Sequence, residues 1–166
     1  MERRVTGTDG HAYRLRPIRP DDADALVAFH NRLSTQSVYQ RYFSLHPVLS
    51  PGEVTHLTTV DYVDRMAFVV EDDDGLVAVA RYDRYPASDE AEVAFLVSDD
   101  HQRRGLGRRL LDELAAAARE RGVTSFVAET QVDNASMLGL FMSSGYPLTR
   151  TTDDGVVCLH FSIGST

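Results

Sequence analysis

Gln102-Arg103-Arg104-Gly105-Leu106-Gly107 separates an apolar run ending at Val97 from a strongly amphipathic segment, an order that reads as strand, loop and helix. Beyond the loop, Leu106, Leu110, Leu111, Leu114 and Ala118 recur at helical spacing, while Arg108, Arg109, Asp112, Glu113 and Arg119 fill the other face. Gly122 supplies the C-terminal stop. Gly105 and Gly107 have no Cβ, so their backbone can turn sharply and bring several N–H groups close to an anion at the positive end of the helix. Arg103, Arg104, Arg108 and Arg109 add guanidinium groups that suit a pyrophosphate. Two other phosphate loops do not fit. The Walker pattern needs a lysine after its second glycine, and this chain contains no lysine; the dinucleotide fingerprint needs three glycines at wider spacing. On these six residues alone, a glycine-containing helix start with surface arginines is an equal alternative.

The strand before the loop alternates Ala91/Val93/Phe95/Val97 with Glu92/Ala94/Leu96, and both sets are apolar except for Glu92. That pattern predicts a strand in the middle of a sheet with both faces covered. A carboxylate there loses hydration, which moves its pKa toward the range where it accepts a proton near neutral pH, and Glu92 is therefore the general-base candidate. The alternative is a strand-end glutamate exposed beside Asp89 and Glu90.

Working outward, the pattern predicts an opening strand over 13–18, a helix over 20–32 entered through Asp21 and Asp22, and a helix over 35–43, a β-α-α start. Pro47 and Pro51 bracket a loop before a short helix over 52–58. Strands over 66–71 and 76–82 flank Asp72-Asp73-Asp74-Gly75, a hairpin turn by its Asp-Gly ending and a solvated one, not a metal site. After the strand over 91–97, the loop and the long helix come a strand over 125–130, a helix over 134–144 and a last hairpin turned by Asp153-Asp154-Gly155. The fold class is mixed α/β with an antiparallel first half. No repeat or linker divides the chain, and residues 1–166 are expected to form one domain.

The 166 residues are 43% hydrophobic, enough for a proper core. A net charge of −8 argues against nucleic acid or an anionic membrane as the main partner and suits a cationic substrate such as an amine. The single cysteine, Cys158, lies in an apolar run and is expected to be a buried thiol. With no internal disulfide, no long apolar stretch and no signal peptide, a cytoplasmic location is expected. Arginine-favouring codon usage accounts for the absence of lysine; the other reading is that an enzyme modifying lysines gains from having none.

The strand over 92–97, the loop over 102–107 and Asn134-Ala135-Ser136-Met137-Leu138-Gly139-Leu140-Phe141 with Gly145-Tyr146 together resemble the GNAT superfamily of acyl-CoA-dependent N-acyltransferases. Within it, Leu15-Arg16-Pro17-Ile18-Arg19-Pro20-Asp21-Asp22 and Ser37-Val38-Tyr39-Gln40-Arg41-Tyr42-Phe43 are similar to the acetyltransferase domain of bacterial Pat-type protein lysine acetyltransferases. The resemblance implies a central, mostly antiparallel sheet with one parallel, splayed strand pair, flanked by helices. It implies acetyl-CoA as cosubstrate, no metal, and a pyrophosphate wrapped by Gln102, Arg103, Arg104, Gly105, Leu106, Gly107 and Arg108. The backbone of Phe95, Leu96 and Val97 would pair with the pantetheine arm like an added strand, and one of those amides would stabilise the oxyanion. Asn134 would contact the coenzyme, although it is also a good helix N-cap.

Glu92 matches the position of the Pat-type catalytic glutamate. The acceptor implied is a lysine on a protein, such as an AMP-forming acyl-CoA synthetase. Many relatives place a tyrosine acid where this chain has Phe141; Tyr146 is a weaker substitute, its position suggesting packing. A small-molecule amine acetyltransferase and a catalytically weak acyl-CoA sensor are the other readings.

Overall fold

Alternating apolar residues set the strands of this chain, and the turn residues between them set their order. The computed structural model describes residues 2–43, 46 and 48–164, so Pro47 lies outside the described residues. In chain order the elements are β1 (Arg3–Thr6), β2 (Ala12–Pro17), α1 (Ala23–Arg32), α2 (Thr35–Tyr42), α3 (Pro51–Thr58), β3 (Arg65–Asp72), β4 (Gly75–Arg84), β5 (Glu90–Val97), α4 (Leu106–Glu120), β6 (Ser125–Gln131), α5 (Ala135–Met142), β7 (Leu148–Asp153) and β8 (Val156–Ser162). Among the described residues, eight strands form one sheet in the order β1-β2-β3-β4-β5-β6-β8-β7. Every neighbouring pair is antiparallel except β5 and β6. The mixed α/β class and the single parallel pair are as expected. The start differs: β1 precedes the expected opening strand, giving β-β-α-α, and only Val5 of its four residues is buried. One inward residue is too little for a period-2 signal.

Helix α4 lays Leu106, Leu110, Leu111, Leu114 and Ala118 on one face of the sheet, in a core shared with Val93, Phe95, Phe126, Phe141, Leu159 and Phe161. Each leucine so buried is worth roughly 1.5–3 kcal/mol relative to exposure. On the other face, Ile18, Leu26, Phe29 and Val54 cover Ala67, Val69 and Val79 of β3 and β4. That second cover stops near β5. Farther along, Glu92, Glu129 and His160 are exposed and Cys158 is half-buried.

The expected helix over 20–32 begins as a 3-10 turn, Pro20–Asp22, because Asp22 is drawn into the protein. Arg16 on β2 donates to both oxygens of Asp22, at 2.9 and 2.8 Å, and through Nε to Glu71 on β3 at 3.0 Å. The backbone N–H of Arg19 adds a bond to Asp22 at 2.7 Å. Burial, the largest single influence, pushes the Asp22 carboxyl up, but the bonds from Arg16 and from the Arg19 N–H, with the charge of both arginines, together outweigh it and hold the group below its ordinary value. Hydrogen bonding by Arg16 likewise holds Glu71 down. A carboxyl depressed in the folded state contributes stability that is complete above the unfolded carboxylate range, about 4, and is lost as pH falls through the folded value. Urea unfolding across pH 2–7 should therefore show the wild type weakening below about pH 4. Asp22→Asn, which leaves Arg16 buried with Glu71 alone, should cost about 2 kcal/mol at neutral pH and flatten that acid decline.

Candidate active site

Parallel pairing between β5 and β6 lasts for three positions, Glu90 with Ser125, Ala91 with Phe126 and Glu92 with Val127. Strand β5 continues against β4 as far as Val97, but on the other side β6 diverges. The gap opens into a cavity of about 930 Å³ bounded by both strands, the starts of α4 and α5, and α2. Phe95, Leu96 and Val97 line it, and their backbone groups on that side have no strand partner.

At the far end of β5 the side chain of Gln102 donates to the Val97 carbonyl at 3.2 Å, tying the loop to the strand. Arg103 and Gly105 both take left-handed conformations, with φ of 64° and 77°. No side chain caps α4, so its first N–H groups face outward for a ligand. What sets the loop is the β1–β2 turn: Thr8 donates twice, from its N–H to the Arg104 carbonyl at 3.0 Å and from Oγ1 to the Arg103 carbonyl at 3.2 Å. In a trans peptide the N–H points opposite the carbonyl, so the amides of Arg104 and Gly105 are directed away from the turn, on the side where Arg103 and Gly105 line the cavity. Gly107 serves closeness: a Cβ there would sit 3.3 Å from Leu140 of α5.

The four arginines divide. Arg103 and Arg108 line the cavity, Arg108 also bonding Asp112 at 3.1 Å and the Ser143 carbonyl at 3.2 Å. Arg109 is exposed along the helix outside it. The guanidinium of Arg104 is a correction to the sequence reading, because it points to the β1–β2 hairpin, 2.9 Å from both Asp9 and the Tyr13 hydroxyl. A hydrogen bond from His11, assisted by Arg104, holds the Asp9 carboxyl at about 2. Arg104 therefore braces the loop, and only its backbone is free for an anion.

Glu92 lies at the mouth of the split and lines the cavity with Glu129. The expected dehydration is not found: Glu92 is exposed, and Ala94 and Leu96 are only half-buried. The Tyr85 hydroxyl donates to it at 3.4 Å. Asn134 is buried in the cavity wall and caps α5, its Oδ1 accepting from the Met137 N–H at 3.2 Å, so capping and cavity lining coincide. Phe141 packs edge-on to Phe95 at 5.5 Å, whereas Tyr146 stacks on Phe161 and stays out of the cavity lining. Cys158 is half-buried, and burial with the nearby carboxylates of Glu129 and Glu92 pushes its thiol up, away from a nucleophilic thiolate.

Thr8, Asp9 and Tyr13 were not legible as site residues, and neither were His101 and Thr130, which line the cavity. Among the described residues no cluster of three or more potential metal ligands occurs, and no helix is long and apolar enough to cross a membrane. An uncapped helix start, outward-turned loop amides and a free strand edge fit an elongated ligand with phosphates at one end and an amide-bearing arm. Thr8→Val removes one of the two bonds that orient the loop. Calorimetric titration should show coenzyme A binding weakened about three- to tenfold, with the urea midpoint nearly unchanged.

Comparison with known proteins agrees with this geometry. Residues 34–146 match the model of the acetyltransferase (GNAT) family. The chain is 30% identical over 156 residues to an acetyltransferase of Pseudomonas aeruginosa, covering 92% of this chain and 84% of that protein. It is 32% identical over 151 residues to the acetyltransferase Pat of Mycolicibacterium smegmatis, covering 89% of this chain but 45% of Pat, so it spans less than half of that relative. The crystal structure of the GNAT domain of S. lividans PAT superposes with a TM-score of 0.91 at 43% identity, over 97% of this chain and 96% of that one. The family match includes both walls of the cleft, and the chain belongs to the GNAT family of acetyltransferases, with acetyl-CoA as its cosubstrate.

Proposed function

We propose that the enzyme transfers the acetyl group to a lysine side chain of a protein, with an AMP-forming acyl-CoA synthetase as the acceptor, in one ternary complex and in the cytoplasm. The observation that carries this reading is the position of Glu92. It is the last β5 residue paired to β6 before the strands part, it lines the cavity, and it is exposed on its face of the sheet. An acceptor can reach it from that open face while the donor occupies the split. Likeness to Pat and to the S. lividans PAT domain supports a protein acceptor. The exposed carboxylates of Glu92 and Glu129 and the net charge of −8 favour a cationic one.

Bound acetyl-CoA supplies an activated thioester carbonyl and a thiol leaving group. The backbone of Phe95, Leu96 and Val97 holds the pantetheine arm, and an amide of this edge donates to the carbonyl oxygen as negative charge builds there. Gln102, Arg103, Gly105, Leu106, Gly107 and Arg108 surround the pyrophosphate, with Arg104 contributing its backbone, and Asn134 borders the coenzyme from α5. A lysine amine, with a pKa of about 10.4, arrives as ammonium. Glu92 takes its proton, directly or through one water, and the freed amine attacks. Being exposed, Glu92 can pass that proton on to solvent. Phe141 offers no acid, and none is required: a thiol with a pKa of about 8.5 leaves tolerably as thiolate. Cys158 is not among the residues lining the cavity and its thiol is held up, and both observations support direct transfer over an acyl-cysteine route.

Glu92→Gln tests the base. Its kcat should fall by about 100-fold or more with coenzyme A affinity kept within about twofold. Full turnover by Glu92→Gln at pH 7 would rule out the base assignment. Thiol release and mass-resolved lysine acetylation, followed with a protein pool and with small amines, test the acceptor. Acetylated protein lysines support the proposal, turnover of small amines alone replaces it with a small-molecule enzyme, and tight binding without turnover makes the chain a sensor.

A further inference from the structure

Thr130 on β6 is 1% exposed, and its Oγ1 has no hydrogen-bond partner in the protein. A buried hydroxyl without a partner is costly, and almost all such groups are paired by protein, ligand or ordered water. Nothing about the strand calls for a hydroxyl here. Thr130 pairs with Val157 on β8, and a valine in its place would keep the branched shape without the polar atom. Yet the residue borders the cavity, in a lining that also includes Ala128, Met137 and Phe141.

Its height along the split is set by register. Glu92 pairs with Val127, so three residues farther on each strand Thr130 stands level with Phe95 across the opening. Phe95 begins the stretch of free β5 edge assigned above to the pantetheine arm. We propose that the Thr130 hydroxyl bonds an amide of that arm from the β6 side, so that the arm is held between the β5 backbone and this one side chain. The inference rests on the placement of the arm along β5 and is independent of the acceptor and of Glu92. In the ligand-free protein no protein group offsets the desolvation of this hydroxyl, and on this proposal the coenzyme does. Donor affinity is thereby drawn from an unfavourable feature of the empty cleft.

The test sets stability against binding. Wild type, Thr130→Val and Thr130→Ser are titrated calorimetrically with coenzyme A and with 3′-phospho-ADP, its nucleotide part without the arm, and ligand-free thermal midpoints are recorded. Thr130→Val should raise the ligand-free midpoint by about 3 °C, weaken coenzyme A about five- to tenfold and leave 3′-phospho-ADP unchanged. Thr130→Ser should restore wild-type affinity. Unchanged coenzyme A binding by Thr130→Val, as expected if a water alone serves the hydroxyl, overturns the proposal. An equal loss for both ligands also overturns it, since that reports a distorted cleft. Failure of the lysine-acceptor reading would leave all of these values where they are, because no acceptor is present.

Discussion

Unpaired backbone groups are tolerated inside a sheet only when something else satisfies them, and β5 carries a run of them where β6 turns away after Val127. The remaining architecture keeps that run open. Leucines of α4 and the aromatic group Phe95, Phe141 and Phe161 fill the space behind the diverging strands, so they cannot close toward each other without displacing core. The close approach of Gly107 to Leu140 sets α4 against α5 at the other end of the opening. The cleft is thus a by-product of packing on one sheet face, and the proposed donor site lies along the edge that packing exposes.

Much of this was legible in the chain. The Leu106-to-Ala118 periodicity gave α4, Asp-Gly pairs gave both hairpin turns, and the glycines marked the turn into α4, because each depends on residues close in sequence. The misreadings share a different cause. Arg104 counted as one more cation until the hairpin claimed it, and Thr8 lies 95 residues from the carbonyl it binds, a distance that local pattern cannot span. Glu92 was read as dehydrated because Ala94 and Leu96 are apolar, but an apolar neighbour says nothing of whether a helix covers the face. Thr130 sat unnoticed in a strand, where threonine is ordinary; only the lack of a partner marks it.

Charge is distributed with the same economy. The buried Asp22 and the half-buried Glu71 are matched to Arg16, and the loop-side carboxylate Asp9 to Arg104. Glu92 and Glu129, both exposed, make no arginine ion pair among the described residues and line the cavity. The carboxylates that brace the fold are thus different ones from the carboxylate proposed as the base.

The sheet can also be seen as two panels, β1 to β5 and β6 to β7, hinged by three residue pairs and clasped by the helices. A ligand lying along the free edge acts as a temporary ninth strand between them. Binding at hundredfold excess over Kd adds about 2.7 kcal/mol to the folded state, so the clasp tightens with acetyl-CoA supply. Metabolic scarcity of the donor then slows turnover and, in the same stroke, shortens the survival of the enzyme against unfolding and proteolysis.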